Sequence, residues 1–120
     1  MNLLIIDDHL TNLKLLRAQL ESEGHVVFEA HDGVDALALL ERQRVDAVIS
    51  DILMPRMDGF ELTERLRKEK LYKEIPIIIV TTRESDADKR RGLDAGADAY
   101  ILKSEFTSEG LLNTIERLIG

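Results

Sequence analysis

The chain has no cysteine, so neither a disulfide framework nor a thiolate metal site belongs to its construction, and a reducing compartment suits it. It also lacks a long apolar run. The strand-like Leu3, Leu4, Ile5 and Ile6 after Met1 are far too few to cross a membrane, and no basic leader or cleavage site accompanies them. Positive charge is scarce: Lys and Arg number 16 against 23 Asp and Glu, and the formal net charge of −7 repels a phosphate backbone. No zinc-finger or helix-turn-helix spacing offsets that charge. A soluble, cytoplasmic chain is therefore expected, with neither nucleic acid nor membrane as a direct partner. No linker, repeat or low-complexity segment interrupts 1–120, which reads as a single domain, large enough to bury one core.

What the sequence does contain is alternation. Short apolar runs at 3–7, 26–30, 45–51, 77–81 and 99–102 predict strands, and amphipathic stretches between and after them predict five helices. In the first helix Leu10, Leu13, Leu16 and Leu20 recur close to helical spacing, and Gly24 suits a left-handed cap after it. The second, about 33–43, sets Val34, Leu37 and Leu40 on one side. The third, about 59–68, turns Leu62 and Leu66 inward and Glu61, Glu64, Arg65 and Arg67 to water. Ser85 and Asp88 form a capping box that opens the fourth. Its apolar face, Ala87, Leu93 and Ala95, is weak, so it should dock less firmly than the others. The fifth begins after Thr107 or Ser108 and presents Leu111, Ile115 and Leu118, with Leu112 and Ile119 beside them.

Strict β-α alternation with short loops implies right-handed crossovers and a parallel sheet covered on both faces. The expected fold class is α/β, a doubly wound (βα)5 sandwich around a five-stranded sheet. Strand order is not visible in the sequence. The flavodoxin-like order 2-1-3-4-5 suits five strands and would set the first and third side by side at the switch point.

The most informative stretch is 45–59, VDAVISDILMPRMDG. Its β-branched run ends on Asp51, then a Pro-containing turn leads into a helix. An acid at the carboxyl end of a parallel strand is a candidate nucleophile or metal ligand, because ligands collect at that edge. Taken alone, it is more often a helix cap or turn former. Asp7 and Asp8 close the first strand and in this topology converge with Asp51 on one crevice. Three carboxylates that close repel one another by several kcal/mol even at an effective dielectric of about 20, so such a cluster calls for a cation. Oxygen ligands without a neighbouring Cys favour Mg²⁺ or Mn²⁺, and His9 reads as an ordinary loop residue beside so hard an ion. Thr81 and Lys103 add a hydroxyl and an ammonium at the same edge. Together these groups suit a phosphoryl ligand. Separately, Thr is a common strand former and Lys a solvated surface charge.

The Asp7-Asp8 pair, the Asp51-x-x-Met54-Pro55-x-Met57-Asp58-Gly59 run, Thr81, Tyr100 and Lys103 resemble the receiver domain of two-component response regulators, over essentially the whole chain and in order. The resemblance implies a signalling domain, not a turnover enzyme, in which Asp51 accepts a phosphoryl group from a histidine kinase or histidine phosphotransfer domain. It further implies Asp8 as a direct Mg²⁺ ligand, Asp7 acting through water, Asp51 itself and the Leu53 backbone carbonyl in the metal shell. Lys103 would contact the carboxylate and then the phosphoryl oxygens. Thr81 would move to bond the phosphoryl group, and Tyr100 would be the aromatic switch that turns inward with it. The output face would be the fourth helix, fifth strand and fifth helix, through which an effector protein or domain is controlled. A half-buried edge-strand tyrosine with a wet hydroxyl is the plainer reading of Tyr100.

Ser104 stands where most of the family has Pro after the Lys, so this bond is either trans or strained. Leu53 and Arg83 are unusual at positions that flank the phosphoryl group. Two other classes compete. A receiver-fold interaction module that works without phosphorylation would usually have lost one of the acids, Thr81 or Lys103. A stand-alone phosphatase needs a substrate pocket or cap insertion, for which these loops are too short.

Overall fold

The computed structural model describes residues 1–7, 10–52, 54, 56–83, 85–105 and 107–119, with backbone alone at residues 10–13, 108 and 119. Asp8 and Leu53, two of the expected metal ligands, therefore lie outside the described residues. Five strands, β1 (Asn2–Ile6), β2 (Val26–Ala30), β3 (Ala47–Ser50), β4 (Ile77–Thr81) and β5 (Ala99–Leu102), pair in parallel in the order β2-β1-β3-β4-β5. The helices α1 (Leu10–Ser22), α2 (Gly33–Arg42), α3 (Gly59–Lys68), α4 (Asp86–Ala95) and α5 (Ser108–Ile119) alternate with them. The expected doubly wound order is borne out. The first strand is shifted one residue toward the N-terminus and the third is shorter than its apolar run, so Asp7 and Asp51 stand just beyond the strand ends.

The pleat sorts side chains between two layers, as a period of two requires. Leu3 and Ile5 of β1 face one core with Leu20 of α1 and Leu111 and Ile115 of α5. Leu4 and Ile6 face the other, with Ala36 and Leu40 of α2 and Leu62 and Leu66 of α3. A smaller apolar group, Ile52, Phe60, Ile79 and Ala97 with Tyr100 against it, lies where α3 and the segment after α4 meet β4 and β5.

Helix ends follow their local chemistry. Asp32, Asp58 and Ser85 cap α2, α3 and α4 by accepting the amides of Asp35, Glu61 and Asp88. Gly24, with φ +92°, follows α1 in the left-handed region, as its sequence position predicts.

Four helix faces differ from expectation, and in α5 the difference is that Leu118 is exposed while Leu111 and Ile115 are buried. Val34 of α2 is exposed and Ala36 takes its place inside, because the N-terminus of α2 is set by Asp32 and Gly33. In α4 it is Gly92, not Leu93, that meets the sheet: Leu93 is exposed, and a Cβ on Gly92 would come within 3.1 Å of Ile79 Cδ1 and of the Tyr100 ring. The weakness of this helix's apolar face thus has a steric counterpart, an approach so close that a Cβ here would have to displace the Ile79 or Tyr100 side chain by a few tenths of an ångström. Arg67, expected in water, is half-buried at the foot of the sheet. Its guanidinium donates to the carbonyls of Gly96 (2.9 Å), Lys73 (3.2 Å) and Ile75 (2.6 Å) and to Asp98 Oδ2 (2.8 Å). It thereby joins α3, the α3–β4 loop, the C-cap of α4 and the start of β5.

Candidate functional site

The site lies at the carboxyl edge of the sheet, where three strand ends and the segment after β5 converge. The Asp7 amide donates to Ala30 O (3.1 Å) and the Asp51 amide to Ile6 O (2.9 Å), so sheet-like bonding carries one residue past each strand and fixes both backbones. Both carboxylates are buried. Lys103 starts the 3-10 turn Lys103–Glu105, and its Nζ donates to Asp51 Oδ2 at 2.9 Å and to Asp7 Oδ2 at 3.1 Å. The Lys103–Ser104 bond is trans.

The other Asp51 oxygen, Oδ1, accepts the Ile52 amide at 2.7 Å, and the carboxylate is thus held from both sides. The Gly59 amide donates to Ile52 O at 3.0 Å and closes the base of the intervening loop. A Cβ on Gly59 would run into the Asp51 carbonyl, so the glycine is required here by close approach.

Burial works to lower the Lys103 pKa. The hydrogen bond and charge of Asp51, then those of Asp7, outweigh it and hold the ammonium above its ordinary value of 10.5. Lys103 is therefore a fixed positive charge at neutral pH.

Thr81, at the end of β4, is fully buried, and its hydroxyl accepts the Arg83 amide at 3.3 Å. Tyr100 is half-buried and its hydroxyl donates to the Arg83 carbonyl at 2.9 Å. Burial, and then the Asp88 carboxylate, push this phenol above its ordinary value of 10.0, which keeps it a donor.

Asp7, Asp51 and Lys103 are thus brought into direct contact. Thr81 stands at the neighbouring strand end, and Tyr100 reaches it through Arg83. The residues fit a hard divalent cation on two counts. The donors of the two described acids, Asp7 and Asp51, are carboxylate oxygens, and a cationic group, the Lys103 ammonium, already lies between them.

The sequence model described as response regulator receiver domain matches residues 3–116. The chain belongs to the response-regulator receiver family. The receiver is 40% identical to the gliding motility regulatory protein of Myxococcus xanthus over 98% of its own length and 15% of that protein. It is 40% identical to protein PilH of Pseudomonas aeruginosa over 98% of its length and 97% of PilH. It thus spans nearly all of one relative and a small part of another. Its structure superposes with a TM-score of 0.89 and 32% identity on the receiver domain of a Pseudomonas aeruginosa sensor histidine kinase that carries a magnesium ion in its active-site cleft. The match covers 99% of this chain and 97% of that one. A role in two-component signalling follows, and receivers are signalling domains rather than turnover enzymes.

One part of the receiver's site was not anticipated from its sequence. Arg56, in the loop after Asp51, reaches Asp32 at the start of α2 with Nε–Oδ2 2.7 Å and Nη2–Oδ1 3.0 Å. Asp-Gly before an amphipathic stretch signals the cap at Asp32. Nothing in the local sequence signals its partner 24 residues on.

Proposed function

We propose that this chain, taken over 1–120 as one receiver domain, is switched by phosphorylation of Asp51. A carboxylate oxygen of Asp51 attacks the phosphorus of a phosphohistidine on a kinase or phosphotransfer domain. The bond from phosphorus to the imidazole nitrogen breaks, and that nitrogen keeps the electron pair. The observation that carries this reading is the Lys103 ammonium held between Asp51 and Asp7, a positive charge placed where phosphoryl oxygens would arrive. Lys103 can follow the charge from the carboxylate to those oxygens without crossing solvent, and the Thr81 hydroxyl can turn to donate to one of them.

Asp7, Asp8 and Asp51, with the Leu53 carbonyl, would hold Mg²⁺ or, alternatively, Mn²⁺, which when bound would shield the carboxylates from the incoming group. Self-catalysed loss of the phosphoryl group belongs to the same reading. So does a cytoplasmic place of action with an effector engaged through α4, β5 and α5. Among the described residues no helix is long and apolar enough to cross a membrane.

Incubation with a small phosphodonor and Mg²⁺ should add one phosphoryl group by intact mass, and Asp51→Asn should abolish it. Undiminished labelling of that variant would overturn the assignment. A wild type that takes up no phosphoryl group from any donor would instead leave a receiver-fold interaction module.

A further inference from the structure

The loop that follows Asp51 is held at its tip as well as its base. Arg56 has φ +66°, in the left-handed region that side chains other than glycine rarely adopt. Its guanidinium makes a two-bond fork with Asp32 and a third bond to Asp35 Oδ1 at 3.0 Å. Asp32 is buried and also caps α2 by accepting the Asp35 amide at 2.9 Å, so its carboxylate has a fixed orientation before Arg56 arrives. A single-contact surface pair contributes little; a fork on a buried carboxylate has the geometry that does. The hydrogen bond from Arg56 is the main reason the Asp32 carboxyl is held below its ordinary value of 3.8. The next residue, Met57, is buried over Gly33, where a Cβ would lie 2.8 Å from the Met57 Cβ.

These contacts lead back to the site. The tip of the loop is tied to α2, its base is closed by Gly59 on Ile52, and the Ile52 amide holds Asp51 Oδ1. On the other side Asp32 lies two residues past Ala30, whose carbonyl accepts the Asp7 amide. The fork therefore spans from the segment beside Asp7 to the loop that orients Asp51.

We infer that Arg56 is a positioning residue. Paired with Asp32, it anchors the backbone at Arg56 and Met57 to α2, and so steadies Gly59 on Ile52 and the Asp51 carboxylate in the orientation a divalent cation needs before the cation binds. This rests on the receiver reading of the site. Preorganisation of this kind raises cation affinity and leaves the rate at saturating cation unchanged. Hydrogen-bonding partners of metal ligands typically contribute about 10- to 100-fold in affinity; Arg56 acts one step further out, and about three- to tenfold is expected.

The test is calorimetric titration with MgCl₂ of the wild type, Arg56→Gly, Asp32→Asn and the double variant. Glycine keeps the positive φ without strain, and asparagine keeps the helix cap, so each removes the ion pair and leaves the local backbone in place. Each single variant should weaken Mg²⁺ binding about three- to tenfold, and the double variant should be no weaker than either single one, since both remove the same pair. Phosphorylation by a small donor should need correspondingly more Mg²⁺ and reach the wild-type rate at saturation. A purely structural role would lower the melting temperature and leave the Mg²⁺ dissociation constant unmoved. That result, or additive losses in the double variant, overturns the inference. A wild type that binds no Mg²⁺ overturns the receiver reading together with it; wild-type binding with unchanged variants overturns this inference alone.

Discussion

Thr81 and Tyr100 are linked through one residue, Arg83, whose amide donates to the Thr81 hydroxyl at 3.3 Å and whose carbonyl accepts the Tyr100 hydroxyl at 2.9 Å. A displacement of the Thr81 hydroxyl releases the first of these bonds to Arg83. Packing offers a second route, since Ile52, next to Asp51, shares an apolar group with Tyr100. The α4 helix above them rests on Gly92 and so has little buried side-chain surface to resist motion.

Thr81→Ala should still accept a phosphoryl group on Asp51 but lose its effect on the α4–β5 region. In wild type, phosphorylation need shift a pre-existing equilibrium by only a few kcal/mol to change amide exchange there. Exchange over residues 86–102 should respond in wild type and stay flat in the variant. An equal response in both would break the proposed coupling through Arg83.

Arg67→Ala should destabilise the fold by about 2–3 kcal/mol, because it strands several carbonyls and Asp98 at the foot of the sheet, where hydrogen bonds to a charged group count most. Arg67→Lys should recover little of this, since an ammonium cannot reproduce the fork of donors. Urea melts decide it. Melts unchanged by the alanine substitution would mean that Arg67 is the solvated residue its sequence position suggests.

Lys103→Met should cost on the order of 2 kcal/mol at neutral pH, by removing the ammonium that lies between Asp7 and Asp51, and Mg²⁺ should restore part of it. The pH dependence has a definite sign. The folded-state pKa of Lys103 is raised above its ordinary 10.5, so its contribution is complete below that value and is lost as pH rises through the folded pKa. Wild type should therefore lose stability above about pH 10.5 more steeply than Lys103→Met, and parallel alkaline limbs in urea melts would refute the pairing.

Much of this architecture was legible in the sequence because its determinants are local. Period-two and helical patterns placed β2, β4, β5 and α3 at their observed bounds, and the Ser85–Asp88 and Gly24 signals marked helix ends, since caps depend on residues three or four apart. The motif spacing likewise carried Asp51, Thr81 and Lys103 to one sheet edge once the strands were parallel. Tertiary structure decided what depends on partners distant in the chain. The sequence reading has three carboxylates repelling one another, whereas the fold puts Lys103, 52 residues from Asp51, between two of them. It draws Arg67 out of solvent, because the carbonyls that need it come from two separate segments, the loop before β4 and Gly96, beside the Asp98 carboxylate. It turns Gly92 inward in place of Leu93, because α4 packs closely on Ile79 and Tyr100 of the sheet. It joins Arg56 to Asp32 across 24 residues. A residue's type and neighbours determine which conformations and contacts it can make; only the folded chain decides which charge, carbonyl or ring lies within reach.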